Sequence, residues 1–69
     1  MKIPRVGPDE IIKIIKRKGF VLIRQSGSHM IFKNDKGVRI TVPYHSGNIL
    51  HPKIIKSIII DAELTEEDF

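Results

Sequence analysis

The feature that most constrains the fold is a pair of isoleucine-rich segments, one near each end of the chain. Ile11, Ile14 and Ile15 lie at i, i+3 and i+4, a period that gathers them on one face of a helix and leaves the opposite face to lysines. The same spacing relates a second set, formed by Ile54, Ile55, Ile58 and Ile59. Each predicted helix therefore has one apolar face that must be buried against another element.

Proline and glycine predict the bounds of both helices. Pro8 can open the first helix, because a proline at the first helical position loses no intrahelical hydrogen bond. Gly19 can adopt the left-handed conformation that ends a helix, so the first helix is predicted over about residues 8–18. Pro52 opens the second helix, which is predicted to end near Ala62.

Three strands are predicted between the helices, over residues 20–25, 29–33 and 38–42. The third alternates apolar and polar residues, so its valines and isoleucine should face the helices. In the second strand, either Met30 and Phe32 or His29, Ile31 and Lys33 face the helices. The first choice buries more apolar surface, so His29 and Lys33 are predicted on the other face. The first strand is apolar over residues 20–23 and ends in Arg24 and Gln25, and periodicity leaves its buried face undecided.

The order α-β-β-β-α predicts an α+β fold with a three-stranded antiparallel sheet and two helices on one face. Residues 1–69 make a single small domain with no room for a dinucleotide cofactor, and no cofactor is expected. The absence of cysteine excludes thiolate metal sites and fits a reducing compartment. No apolar run approaches the roughly 18 residues of a membrane span. We expect a cytoplasmic protein without membrane contact.

Charge is distributed unevenly along the chain. Residues 1–40 hold ten lysines and arginines and three acidic residues, a net charge of +7. Residues 41–69 hold two basic and five acidic residues, a net charge of −3. A basic body with an acidic end is typical of nucleic-acid-binding domains. The alternative is an ordinary solvated surface.

Gly27-Ser28-His29 is the stretch whose pattern suggests chemistry. The three histidines lack zinc-ligand spacing, no two carboxylates sit together in the body of the fold, and no glycine-rich loop precedes a helix. A neutral imidazole on a basic face can accept the proton of a ribose 2′-hydroxyl, whose oxygen then attacks the adjacent phosphorus. The alternative is that His29 is only a polar residue beside a turn.

Four segments together resemble the HicA toxin family. They are Gly19-Phe20, Gly27-Ser28-His29-Met30-Ile31-Phe32, Val42-Pro43-Tyr44-His45-Ser46-Gly47 and the terminal Leu64-Thr65-Glu66-Glu67-Asp68-Phe69. The resemblance runs from about residue 7 to the end. The Gly-Ser-His element followed at this separation by Val-Pro-x-His is the specific part, since either element alone is weak.

The resemblance implies a function. HicA proteins are small mRNA interferases with a double-stranded-RNA-binding-domain-like fold, which cleave RNA without a metal through one catalytic histidine in the Gly-Ser-His motif. A HicB antitoxin neutralises them. The resemblance thus makes His29 the catalytic residue, with Gly27 and Ser28 shaping the turn that presents it, and a HicB-like protein the partner in a hetero-oligomer. The rivals are a non-catalytic RNA-binding domain and a subunit that binds only protein.

Basic residues supply the expected RNA-binding surface. They are Lys33, Lys36, Arg39, Lys53 and Lys56, of which the last two flank the start of the second helix. In RNA-binding domains of the related fold, lysines at that helix start meet phosphates; two lysines on a solvated helix are the alternative. His45 is either an RNA contact or a polar loop residue, and His51 has no assigned role. We expect the antitoxin to cover the open sheet face around His29.

The chain departs from the family at one position. The family commonly ends its second helix with Ala-Gly-Leu, whereas this chain has Ala62-Glu63-Leu64. Glu63 must then adopt a left-handed conformation, at a cost of roughly 1 kcal/mol, or the helix must run on. Beyond it, the acidic residues after Thr65 predict a small capping box and a last helical turn.

Overall fold

The chain folds into two helices and three strands in the order α-β-β-β-α, which confirms the predicted order. The computed structural model describes residues 2–45 and 48–69. Ser46 and Gly47, which close the Val-Pro-x-His segment, lie outside the described residues. The elements are α1 (Pro8–Arg17), β1 (Val21–Ser26), β2 (His29–Lys33), β3 (Arg39–Pro43), α2 (Pro52–Ala62) and a final 3-10 turn (Glu66–Asp68).

The sheet has the order β1-β2-β3, and both neighbouring pairs are antiparallel. Its helix-facing side contributes Phe32, Ile40 and Val42, all buried. The four isoleucines of α1 and two of α2, Ile55 and Ile58, complete the core with them. Ile54, Ile59 and Met30 pack against it half-buried. The predicted two-layer arrangement is confirmed. The 3.6-residue period of the helices and the two-residue period of the strands correctly indicate which side of each element is buried.

The other side of the sheet is open. His29, Arg39 and Thr41 are exposed and Lys33 is half-buried on this side, where they alternate along β2 and β3 with the helix-facing residues. The predicted outward placement of His29 and Lys33 therefore holds. Within the described ranges, neither helix has the length and apolar character needed to cross a bilayer.

Both helices end in the same backbone arrangement. After α1, the Phe20 N–H donates to the Ile15 carbonyl at 3.0 Å and the Gly19 N–H to that of Lys16 at 3.1 Å. After α2, the Leu64 N–H donates to the Ile59 carbonyl at 2.9 Å. Each pattern is a Schellman end, which needs a left-handed residue just past the helix.

Glycine fills the left-handed position after α1, and glutamate fills it after α2. Gly19 has φ 96° and Glu63 has φ 54°. Of the two outcomes expected for Glu63, the strained one occurs, and α2 stops at Ala62. The next residue in each case is apolar and buried, Phe20 in one and Leu64 in the other. Both ends thus insert a side chain into the core.

β1 is an edge strand whose six residues are all exposed. It begins at Val21 and not at Phe20, since Phe20 is turned into the core at the end of α1. Its first three residues are large and apolar, with Val21 60%, Leu22 43% and Ile23 47% exposed. The apolar run whose buried face periodicity left undecided therefore has no buried residue in the strand.

The C-terminal turn is fastened by Asp68. Its carboxylate accepts the Thr65 N–H at 2.7 Å and the Thr65 hydroxyl at 3.3 Å, so the predicted capping box is present. The Lys18 ammonium lies 3.8 Å from the same carboxylate. The Arg17 guanidinium donates to the Asp68 carbonyl at 3.2 Å. These contacts tie the chain's end to the last turn of α1.

Candidate functional site

His29 stands at one end of the open sheet face. It is the first residue of the central strand β2, and its cross-strand partners are Ser26 in β1 and Pro43 in β3. The backbone of His29 is therefore held from both sides, while its side chain is exposed. No hydrogen bond to the imidazole forms within residues 2–45 and 48–69, so both ring nitrogens are available to a ligand.

A two-residue turn delivers the chain to His29. Gly27 and Ser28 connect the paired residues Ser26 and His29, and Gly27 has φ 57°. A positive φ at the first turn position, with none at the second, is typical of the hairpin turns that match strand twist, and glycine adopts it without strain. Gly27 thus lies in the turn directly before the histidine, and the role of that turn in presenting a catalytic residue stays a prediction.

Tyr44 braces the turn from the opposite strand. Its N–H donates to the Ser28 carbonyl, which continues the β2–β3 pairing one step past His29. Its hydroxyl donates to Asp9 Oδ1 at 2.7 Å, in the first turn of α1. The backbone around His29 is thus linked through one side chain to the helix layer.

A β-bulge in β1 brings an arginine to the face that His29 occupies. Leu22 pairs with Phe32 and Arg24 with Ile31, so Ile23 is an extra residue without a partner of its own. Strict alternation would send Arg24 to the same side as Leu22, toward the helices. Because of the bulge, Arg24 instead shares the open face with Ile31.

Arg24 is a candidate site residue that the sequence pattern did not single out. It lies diagonally across from His29, a relation that places the two residues about 7–8 Å apart. Its side chain is exposed, and within the described parts of the chain its guanidinium makes no hydrogen bond or ion pair. The sequence shows the arginine, but a bulge has no reliable sequence signal in a strand that is apolar on both sides.

Lys33 and Arg39 lie at the other end of the same face. They are direct cross-strand partners, and Lys33 also opposes Val21 in β1. Lys33 is four residues along β2 from His29, about 13 Å at the rise of a strand. Lys36 is exposed in the following loop, in which the Asn34 side chain accepts the N–H of Lys36 at 3.1 Å. These three cations flank the histidine at a distance without touching it.

Lys53 and Lys56 are on α2, in the helix layer. Lys53 lines a cleft between α2 and β3 together with Arg39 and Thr41, so it adjoins the edge of the open face. Lys56 lies farther round the helix, beside the exposed Ile60. The five predicted RNA-binding residues therefore do not form one surface around His29.

The two other histidines lie in different surroundings. His51 caps α2, because its Nδ1 accepts the Lys53 N–H at 3.1 Å. That bond requires Nδ1 to be unprotonated. His45 is exposed just past Pro43, next to the two undescribed residues. No group of three or more His, Asp or Glu side chains that could hold a metal ion forms among the residues described.

One comparison with known proteins matches most of the chain. The family model described as HicA toxin of bacterial toxin–antitoxin systems matches residues 8–64. The matched segment begins at the first residue of α1 and ends at the buried residue that closes α2. No curated protein matches the chain.

Proposed function

The chain belongs to the HicA toxin family of bacterial toxin–antitoxin systems, and from that premise we propose that it is an mRNA interferase, a metal-independent endoribonuclease that acts in the cytoplasm with His29 as its general acid or base. Its family role is that of a toxin with a cognate antitoxin. The observation that carries the proposal is the position of His29, exposed on an open sheet face between two strands that fix its backbone.

The reaction proceeds by internal transfer at phosphorus. A ring nitrogen of His29 takes the proton of the ribose 2′-hydroxyl, and the 2′-oxygen forms a bond to the adjacent phosphorus. The bond from phosphorus to the 5′-oxygen breaks, and that oxygen leaves with a proton from water. The hydroxide that remains takes the proton held by His29. The products are a 2′,3′-cyclic phosphate and a 5′-hydroxyl. Since one histidine assists one end of the reaction at a time, the catalyst should be modest.

Positive charge near the histidine stabilises the transition state of the reaction. The phosphorane-like transition state carries more negative charge on its non-bridging oxygens than the ground state does. Arg24 is the nearest cation on the open face by register, while Lys33 and Arg39 lie at the far end of it. We assign Arg24 to the reacting phosphate and the other two to phosphates elsewhere on the same RNA strand.

A specific observation keeps the non-catalytic alternative in view. The His29 ring has no partner among the described residues to fix its orientation, and catalytic histidines are commonly held by a second group. The alternative is a domain of the same fold that binds RNA without turnover. RNA itself must then orient the ring for the proposed function to hold.

Cleavage of a defined mRNA by purified wild type and by His29→Ala tests the proposal. We expect His29→Ala to lose ~10²–10⁴ in rate, the usual contribution of general acid–base catalysis, with its melting temperature almost unchanged because the side chain is exposed. Activity should persist in EDTA. His51→Ser is the matched control, since serine keeps the helix cap that His51 provides.

Three results would each contradict part of this proposal. RNA binding without cleavage by wild type would favour the non-catalytic domain. Neither binding nor cleavage would favour a subunit that binds only protein. Activity that disappears in EDTA and is restored by magnesium would show that a metal takes part.

A further inference from the structure

The outer edge of β1 is apolar at its start and has no neighbouring strand among residues 2–45 and 48–69. In the order β1-β2-β3, β1 pairs with β2 on one side only. Val21, Leu22 and Ile23 are 60%, 43% and 47% exposed. An exposed edge of this kind is a template for another strand, and proteins ordinarily protect such edges with charges, prolines or covering elements.

The two edges of the sheet differ in what covers them. Along β3, the helix α2 adjoins the edge, and Lys53 and Ile54 line the cleft between them. Along β1, the first three residues include no charge and no proline, and all six residues are exposed. Val21 shares the open face with Lys33, while Leu22 shares the helix side with Phe32. Apolar surface is therefore presented on both sides of the free edge.

We propose that the antitoxin adds an extended strand to β1. Its backbone would hydrogen-bond to the outward N–H and C=O groups of β1, and its apolar side chains would cover Val21, Leu22 and Ile23. That the toxin has an antitoxin follows from its family. Why this contact inhibits, as argued below, rests on the proposed function of the open face.

Charge favours an acidic partner strand over a second copy of this chain. The whole chain has a net charge of +4. Arg24 is in β1 itself, and Lys33 and Arg39 follow in one cross-strand row behind Val21. Pairing two copies through β1 would join these cations into one continuous basic face. A strand with acidic side chains on its open side would instead neutralise Arg24.

The same contact explains how the toxin is silenced. Strands in a sheet are about 4.8 Å apart, so an added strand would lie about 10 Å from the strand that begins with His29. Acidic side chains from it would reach Arg24, which lies between the added strand and the histidine. The antitoxin would thus hold the arginine assigned to the phosphate and block RNA from that side, with its apolar anchors at the edge and not at His29.

Amide hydrogen exchange, measured by NMR on the toxin alone and bound to the antitoxin encoded by the adjacent gene, tests strand addition. We expect alternate amides within 21–26 to become protected in the complex, because only every second N–H of an edge strand points outward. Protection should not appear in the free toxin as its concentration rises. Protection in the free toxin would indicate a second copy on this edge and overturn the proposal.

Neutral polar substitutions give an independent measurement, because they remove apolar contact without adding charge that would attract an acidic strand. The double variant Val21→Gln/Ile23→Gln should weaken antitoxin binding by about tenfold or more. Its RNA cleavage should persist, since neither side chain has a part in the chemistry. Ile60→Gln is the matched control: Ile60 is 65% exposed and sits on α2. It should bind antitoxin as wild type does.

The outcomes separate this proposal from the proposed function. Antitoxin binding is measured without RNA, and RNA cleavage is measured without antitoxin. If the double variant binds antitoxin like wild type, or if the amides of β1 stay unprotected in the complex, strand addition is wrong even where cleavage by His29 holds. If wild type fails to cleave RNA but β1 becomes protected, the docking edge stands and the enzymatic function does not.

Discussion

A single inserted residue decides what surrounds His29. Ile23 has no cross-strand partner, and this one extra position moves Arg24 from the helix side of the sheet to the open side. Bulges are frequent beside active sites because they redirect a side chain without changing the rest of the strand. At the residue scale, the candidate site is therefore made by a histidine after a turn and an arginine after a bulge.

Arg24→Ala should lower the rate of RNA cleavage by about 10², the lower end of what one transition-state charge contributes. The cleavage rate of Arg24→Lys should lie between those of wild type and Arg24→Ala, since a lysine keeps the charge and loses the two-pronged geometry. The measurement is single-turnover cleavage at saturating RNA, which separates rate from affinity. Arg5→Ala removes another exposed arginine, from the segment before α1, and should cleave at the wild-type rate. A loss confined to affinity would make Arg24 a binding residue only.

At the residue scale, the sequence predicts burial correctly where the alternation of apolar and polar residues alone decides it. Phe32 is buried and His29 exposed, as alternation required. It could not find Arg24, because the bulge depends on how β1 and β2 pair. Nor could it find the bond from the Tyr44 hydroxyl to Asp9, which joins residues 35 positions apart. The packing of one element on another sets such a contact, and local pattern does not.

At the scale of elements, the two helix ends offer an internal comparison. Both are Schellman ends, and they differ in the residue at the left-handed position, Gly19 after α1 and Glu63 after α2. A residue with a Cβ in that conformation is strained by about 1 kcal/mol. The sequence predicted that Glu63 would either adopt the left-handed conformation or extend the helix. The buried Leu64 accounts for the result, because extending α2 would remove that side chain from the core.

Glu63→Gly should stabilise the fold by about 1 kcal/mol, because glycine adopts φ 54° without strain. For a domain of this size that is a rise in melting temperature of roughly 4–8 °C. Thermal unfolding followed by circular dichroism measures it. Glu63→Ala is the control, since it removes the carboxylate and keeps the strain, and should give little gain. An equal gain from alanine would show that charge, and not backbone strain, is the cost.

The C-terminal turn should respond to acid. The backbone N–H of Thr65, and then the nearby Lys18 ammonium, hold the pKa of Asp68 below its ordinary value of 3.8. A carboxylate with a lowered folded pKa contributes stability that is present above that ordinary value and is lost as the pH falls through the folded pKa. The difference in unfolding free energy between wild type and Asp68→Asn should therefore be largest near neutral pH and shrink below about pH 4.

Urea unfolding across pH 2–7 measures that difference. Glu67→Gln is the control on the same turn, because its carboxylate makes no hydrogen bond or ion pair within the described residues. It should follow the wild-type profile. A gap between wild type and Asp68→Asn that stays constant down to pH 2 would mean that the carboxylate's charge is not what fastens the turn to α1.

On the scale of the whole molecule, net charge does not locate the RNA site. The helix layer is basic too, since Lys13, Lys16 and Arg17 are exposed on α1. Composition therefore indicated a nucleic-acid partner and left two faces able to attract one. The site's chemistry distinguishes them: only RNA lying on the open face brings its phosphates to His29. Electrostatic attraction by α1 would raise the rate at which RNA encounters the protein, without placing the RNA backbone beside His29 for cleavage.

Paired neutralisation decides between the two faces. Lys33→Gln/Arg39→Gln should reduce the slope of log affinity against log salt by about 1.4, since each phosphate that a cation neutralises on single-stranded RNA accounts for roughly 0.7 of that slope. Lys13→Gln/Lys16→Gln removes the same charge from α1 and should change the slope little, because counterions are released only where phosphates are held. Lys53→Gln, at the margin of the open face, should fall between. If the α1 pair changes the slope and the sheet pair does not, RNA binds the helix layer, and the open face is no longer its cleavage surface.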